Sequence, residues 1–408
     1  MPEDMQGDPQ LRDALADVAP RFARTIERTE PVGSAPHLLR VVTGDGDVAI
    51  RASEPRATME SVSLTARALL LARPSGEGRL PVPQPVLGDA SVWGVRIGER
   101  IASAASWLPG RPLARYGDFR TPDGEVIDVP LPASAPAEAI VLDAVRTVGR
   151  FHTATSSLVH DSQVATAPLS RILRNSEAAW STQRREVGQR AAGSPEIRRW
   201  LRCGNRILPV ATELLEHAGS AGTVACLIHG DLWPANLLID GNGPDRTLTG
   251  VVGWSGVTAG SPLIDLAHLA IHTSGWSGAA AETILGAYTE VAPLAPVERR
   301  MLPVVAALDL VPRVGWLLNL AFVDDRMIGH ESQPVLRSGL KSLLTSLENL
   351  TQILAPEPEW NQRKAGEQRQ ARLDAVRKKP SGTRTTPARQ PGSGRSRPGS
   401  RPGRPKTG

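Results

Sequence analysis

Apolar residues recur along this chain with two different periods, and the change from one to the other divides it in two. In the first quarter the apolar runs are short. They fall at residues 37–42, 47–52, 86–87, 92–97 and 101–108, and Gly44-Asp45-Gly46 joins the first two. Short runs flanked by Gly and Pro predict strands, and an Asp-Gly turn between two of them predicts a hairpin. Residues 58–72 break the pattern, with Val62, Leu64, Ala68, Leu69 and Leu71 at helical spacing before Pro81, Pro83 and Pro85. Residues 9–30 read as a helix leading into this sheet.

From residue 137 onward the period becomes helical and the segments lengthen. Helices are predicted over 137–157, 168–190, 195–218, 263–273, 279–291, 296–322 and 333–354. One non-helical island, 225–260, interrupts them. It holds Leu237-Leu-Ile239 and residues 248–252, joined by Asp240-Gly-Asn-Gly243. The fold class this predicts is α+β and bilobal: a helical lead-in at 1–30, a small β-rich N-lobe at 31–110, and a larger helical C-lobe at 111–357. No run suggests a membrane span.

Charge changes the picture at the far end. The 408 residues carry 47 Lys+Arg and 42 Asp+Glu, yet residues 361–408 alone hold 14 basic and 2 acidic side chains. The rest of the chain is mildly acidic, so the basic balance belongs to the tail. Residues 380–408 contain no Val, Ile, Leu, Met, Phe, Trp, Tyr or Cys. A segment of that composition has no apolar surface to bury, so 358–408 is expected to be a disordered Pro/Gly/Arg-rich extension. Its charge suits weak, nonspecific contact with nucleic acid, without aromatics for base stacking. Two cysteines, Cys203 and Cys226, make no disulfide framework, and the polar N-terminus is unlike a signal peptide, so the expected setting is cytoplasmic.

The first lysine is Lys341, which removes any Gly-Lys-Ser/Thr phosphate loop from the body of the chain. The candidate chemistry sits at the head of the island: Leu227-Ile-His229-Gly230-Asp231-Leu-Trp-Pro-Ala-Asn236-Leu-Leu-Ile. An Asp and an Asn five residues apart in one loop give a carboxylate for a hydroxyl proton and a second oxygen for the phosphate side. Phosphoryl transfer needs both.

With Val251-Val-Gly-Trp254 and Gly260-Ser-Pro-Leu-Ile-Asp265-Leu-Ala downstream, this block resembles the aminoglycoside phosphotransferase family. Trp107-Leu-Pro-Gly110-Arg-Pro-Leu and Val148-Gly-Arg-Phe-His152 fall in the family's order as well. The resemblance spans about residues 30–355. It implies a protein-kinase-like fold, ATP or GTP with Mg2+, and transfer to a hydroxyl of a small molecule. It makes Asp231 the catalytic base and Asn236 a magnesium ligand. Arg51, in Val48-Ala-Ile-Arg51, takes the place of the phosphate-contacting lysine or arginine. Gly33 and Ser34 match the phosphate-covering turn, and Glu60 is the acid near Arg51 on the following helix, although the family's register points closer to Thr65. Relatives carry an aspartate, a magnesium ligand, where this chain has Gly253. That departure keeps open a catalytically impaired pseudokinase that binds nucleotide or ligand and serves a protein partner. A peptide Ser/Thr kinase is a further alternative.

Other residues have plainer readings. Asp265 is expected to cap a helix N-terminus, and His152 to make a helix–loop contact. His268 and His272 have zinc-pair spacing but no third ligand. Nine tryptophans, notably Trp254, Trp276 and Trp316, suit core packing or a stacking platform for an acceptor. Asp324-Asp325 is the conspicuous acidic pair of the late helices.

Overall fold

The computed structural model describes residues 9–32, 37–55, 57–73, 80–113, 116–120, 126–130, 138–160, 168–190, 193–218, 225–241, 245–322, 333–356 and 370. The chain forms two compact units, Met1–Pro356 and Glu357–Gly408, and the elements below belong to the first. Asp324-Asp325 and the tail's expected disorder lie outside the described residues.

The N-lobe is an antiparallel sheet. Strands β1 (Arg28–Pro31), β2 (Leu38–Val42), β3 (Val48–Ala52) and β6 (Arg100–Ser106) pair in that order, and both β4 (Pro85–Val86) and β5 (Gly94–Ile97) add to β6. Alternation along β3 decides which face does what. Val48, Ile50 and Ala52 are buried, while Ala49 and Arg51 lie on the opposite, half-open face. The buried side chains, with Leu39, Val41, Ala102 and Ala104, pack against Leu15 of α1 (Pro9–Val18) and against Phe22.

The helix expected over 9–30 is therefore shorter than its pattern suggested. Pro20 cannot donate the next helical hydrogen bond, and a 3-10 turn at Ala19–Arg21 closes the element. Residues 28–31 leave helix altogether to form β1, in register Arg28↔Val42 to Pro31↔Leu39. Only a partner strand supplies that information.

Helix α2 (Met59–Leu71) follows β3, fixed at its start by a reciprocal cap. Ser61 N donates to Thr58 Oγ1, and Thr58 N to Ser61 Oγ, both at 3.1 Å. Such a cap is worth about 1 kcal/mol. The far half of α2 leaves the N-lobe's core: Ala68, Leu69 and Ala72 join the hydrophobic cluster of the helical lobe, together with Leu80 and Val82.

The C-lobe contains α3 (Glu138–Ala154), α4 (Ser156–His160), α5 (Pro168–Arg190), α6 (Pro195–Ala218), α7 (Leu263–Ser274), α8 (Gly278–Thr289), α9 (Pro296–Phe322) and α10 (Gln333–Leu354). Helix α9 runs through its centre, packed on α5, α6, α7 and α10. By length and composition α9 could cross a membrane, but most of its apolar side chains are buried inside the fold. Pro312 lies inside α9 and cannot donate to Leu308 O. The Ser176 hydroxyl of α5 does so instead, and Trp200 Nε1 of α6 donates to Val311 O at 2.9 Å.

The island is more ordered than its two apolar runs suggest. β11 (Leu237–Asp240) and β12 (Thr247–Val251) form the expected hairpin, and β7 (Arg111–Pro112) pairs with β11 on its other edge. A second pair, β10 (Cys226–Ile228) with β13 (Thr258–Gly260), brackets the loop between them. These three-residue strands, and the hairpin of β8 (Tyr116–Arg120) with β9 (Val126–Pro130), are too short or too polar for a period of two to reveal.

Candidate active site

The loop leaving β10 is clamped from several directions. Asp265, in the first turn of α7, is fully buried. Its Oδ2 accepts from His229 N at 2.8 Å and its Oδ1 from Gly230 N at 2.9 Å. His152 Nε2 of α3 donates to Oδ2 at 3.1 Å, and His152 Nδ1 in turn accepts from the Tyr288 hydroxyl at 3.0 Å. Burial pushes the Asp265 carboxyl up, but the His152 hydrogen bond and the neighbouring imidazoles outweigh it and hold the carboxyl below its ordinary range. The expectation that Asp265 caps its own helix is corrected: the N-cap is Pro262, and the carboxylate reaches to the backbone of a different segment. His152 makes the helix–loop contact through that carboxylate.

His229 closes the loop on itself. Its Nε2 donates to Val252 O at 2.8 Å, and its Nδ1 accepts from Asp231 N at 3.2 Å. The ring must therefore be neutral, in keeping with burial, which holds its pKa below normal. Gly230, at φ +79°, sits where a Cβ would come 3.0 Å from Gly256 O, so only glycine fits this turn comfortably.

The next segment rests on α7 and α9. Leu232 N donates to His268 Nδ1, and His268 Nε2 donates to Asp309 Oδ1, both at 3.3 Å. Asp309 also takes a two-pronged contact from Arg313, Nε at 3.2 Å and Nη2 at 3.3 Å. Arg313 lies over the Trp233 ring, 3.9 Å from Cζ to the centroid, and the His272 ring stacks on Trp233 at 3.6 Å. His268 and His272 thus support the loop, and no group of three His, Cys, Asp or Glu among the described residues is placed to hold a metal. Trp233, Asp309 and Arg313 were not singled out from the sequence. The last two lie some 75 residues beyond the loop, where only the folded chain brings them near. Trp254 and Trp276 are buried core residues, whereas Trp316 of α9 is 39% exposed.

The result of this clamping is visible in the burial pattern. From Cys226 to Ile239 every residue is buried or half-buried except Asp231, whose side chain is exposed. Asn236 sits beside it: its Nδ2 donates to Asp231 O at 2.7 Å and to Asp231 Oδ2 at 3.3 Å.

Gly253 adjoins Asn236. Its backbone is left-handed, φ +86° and ψ +23°, and a Cβ there would lie 2.6 Å from Asn236 Cγ and Oδ1. Asp240 and Asp245 are exposed on the hairpin, and Asp240 Oδ1 accepts from Gly241 N at 2.8 Å. Among the described residues, the side-chain oxygens here are then one neutral amide oxygen and the Asp231 carboxylate, whose Oδ2 already accepts from Asn236. A hard dication needs more oxygen and more charge than that, so these residues do not fit a protein-held magnesium ion.

In the N-lobe, Arg51 lies on the half-open face of β3, opposite Ser103 on β6 and Leu38 on β2. Neighbouring His37 is pushed down to about 4, first by burial and then by the Arg51 and Arg100 charges. Glu60 is exposed in the first turn of α2 and makes no ion pair among the described residues. Thr65 donates to Ser61 O within the helix. Gly33 and Ser34 lie outside the described residues.

These shifts set an acid limb. His37, His229 and His272 all have folded-state pKa values below the unfolded value of 6.5. The unfolded chain therefore binds more protons, and the stability present above pH 6.5 should be lost as the pH falls toward 4. Urea midpoints measured between pH 7 and 4 should fall, and His37→Gln should flatten the slope by about one proton. A midpoint independent of pH across this window would refute the burial of neutral imidazoles.

An antiparallel N-lobe sheet and a helical C-lobe that carries a pinned Asp-bearing loop define a protein-kinase-like phosphotransferase fold. Residues 31–304 match the model of the phosphotransferase enzyme family (APH), and the chain belongs to that family. Its fold is similar to that of an aminoglycoside phosphotransferase from Alicyclobacillus acidocaldarius, at 16% identity and TM-score 0.54, covering 83% of this chain and 96% of that one. It is also similar to spectinomycin phosphotransferase in complex with ADP and spectinomycin (10% identity, TM-score 0.51, 84% and 98% covered). A microcompartment-associated aminopropanol kinase is similar at 18% identity and TM-score 0.50, with 84% and 96% covered. No curated protein matches the chain.

Proposed function

We propose that this chain is a nucleotide-dependent phosphotransferase that moves the terminal phosphoryl group of ATP or GTP to a hydroxyl of a small molecule. The observation that carries this reading is Asp231, the one exposed side chain on an otherwise buried loop. A carboxylate so held can orient an acceptor hydroxyl and take its proton as the new P–O bond forms and the nucleoside diphosphate leaves. Arg51, on the half-open face of the N-lobe sheet, is suited to a two-pronged contact with the phosphates. The small-molecule acceptors named for the similar structures, spectinomycin among them, favour a small molecule over a peptide hydroxyl. A second reading rests on Gly253: a nucleotide-binding pseudokinase that assists a protein partner.

The experiment is a thermal-shift titration of the full chain with ATP and with GTP, followed by transfer from γ-labelled nucleotide to an aminocyclitol, an amino alcohol and a hexose. A ligand at about 100 times its Kd adds about 2.7 kcal/mol, which for a unit of this size raises the melting point by roughly 2–5 °C. A shift with labelled product supports transfer, and a shift with no product from any acceptor favours the pseudokinase. Absence of a shift with either nucleotide would overturn both.

A further inference from the structure

The amide of Asn236 occupies the space that a side chain at position 253 would need, and this bears on how the site treats a divalent ion. We infer that nucleotide binding by this chain is not coupled to magnesium: the protein holds the phosphates, and any ion accompanying them is held by the phosphates and water alone. This rests on the reading that the cleft takes a nucleotide, and on the resemblance that puts Gly253 where relatives carry a metal-holding aspartate.

Three features of the site carry it. Gly253 has no side-chain oxygen, and its left-handed backbone would aim any Cβ into the Asn236 carboxamide at 2.6 Å. Asn236 cannot swing aside freely, because Nδ2 is bonded to both the main-chain oxygen and the carboxylate of Asp231. Of the acids on the island, Asp231 accepts from Asn236 Nδ2 and faces the acceptor hydroxyl in the proposed reaction, and Asp240 and Asp245 are exposed on the hairpin; Asp265 is fully buried with both oxygens engaged. Cooperative binding of ion and nucleotide requires protein oxygens that contact the ion when the nucleotide is present. By linkage, an ion that gains no protein contact can change nucleotide affinity only through its own effect on the phosphates.

The test is calorimetric titration of the full chain with ATP and with ADP, once in excess magnesium and once in EDTA. The two affinities for each nucleotide should agree within about threefold, where coupled sites differ by roughly 5–150-fold. Tighter binding in magnesium by more than tenfold would overturn the inference and leave the nucleotide reading standing. No binding under either condition would overturn the nucleotide reading, and this inference with it. Gly253→Asp supplies an independent arm. It should leave the magnesium ratio unchanged and lower the melting point, because the new Cβ meets Asn236 in a backbone conformation that glycine favours. A variant that folds and binds nucleotide more than tenfold tighter in magnesium would show that the carboxylate alone was missing, and that the blocked geometry is not the cause.

Discussion

Asp265→Ala should cost the fold about 3–5 kcal/mol, a large share of the 5–15 kcal/mol that holds a typical domain together. The carboxylate is fully buried and accepts three hydrogen bonds, from His229 N, Gly230 N and His152 Nε2. Removing it leaves two backbone donors and an imidazole unsatisfied where water does not reach, and such donors are far more costly than the net worth of the bonds they made. Asp265→Asn separates charge from shape. It keeps one acceptor oxygen but sets an NH2 against a donor, so it should lie between wild type and alanine. Urea midpoints of the three proteins, with amide exchange across residues 226–237, read both the global and the local loss. An alanine variant within 1 kcal/mol of wild type would refute the clamp.

Asp231→Asn should lower phosphate transfer by about 10²–10⁴-fold, the usual worth of a general base, while nucleotide affinity and melting point stay near wild type. The expectation of unchanged stability comes from exposure: Asp231 is open to solvent, and the bond from Asn236 to its main-chain oxygen does not depend on the side chain. Single-turnover transfer measured beside a thermal shift separates chemistry from folding. Equal rates in the two proteins would remove Asp231 from its assigned role, and a lost nucleotide shift would make it a binding residue instead.

Much of the fold was legible because the helical lobe is built from long segments with strong periodicity. The boundaries predicted for 168–190, 195–218, 296–322 and 333–354 coincide with α5, α6, α9 and α10. Legibility failed where an element exists only because a distant one pairs with it. Strand β1 took residues from an expected helix, and β10 and β13 are too short to carry a period of their own. The site divides the same way. Asp231 and Asn236 lie five apart on one loop and could be read as a string. The groups that hold the loop come from α3, α7 and α9, and their roles are tertiary. Asp265 reads locally as a cap, because proximity to a helix start suggests one and cannot reveal a carboxylate reaching back 35 and 36 residues along the chain to Gly230 and His229.

The fit between Gly253 and Asn236 has a consequence for descent. A glycine codon of the GGT or GGC type lies a single base from aspartate, so an ancestor with aspartate at this position could have lost it in one step. The return step is equally short in the gene but not in the protein. Where the backbone is left-handed and the amide lies against it, the restored side chain finds its place taken. A lineage that crossed to glycine here would need a second change, in the Asn236 side chain or in the backbone, before a carboxylate could return.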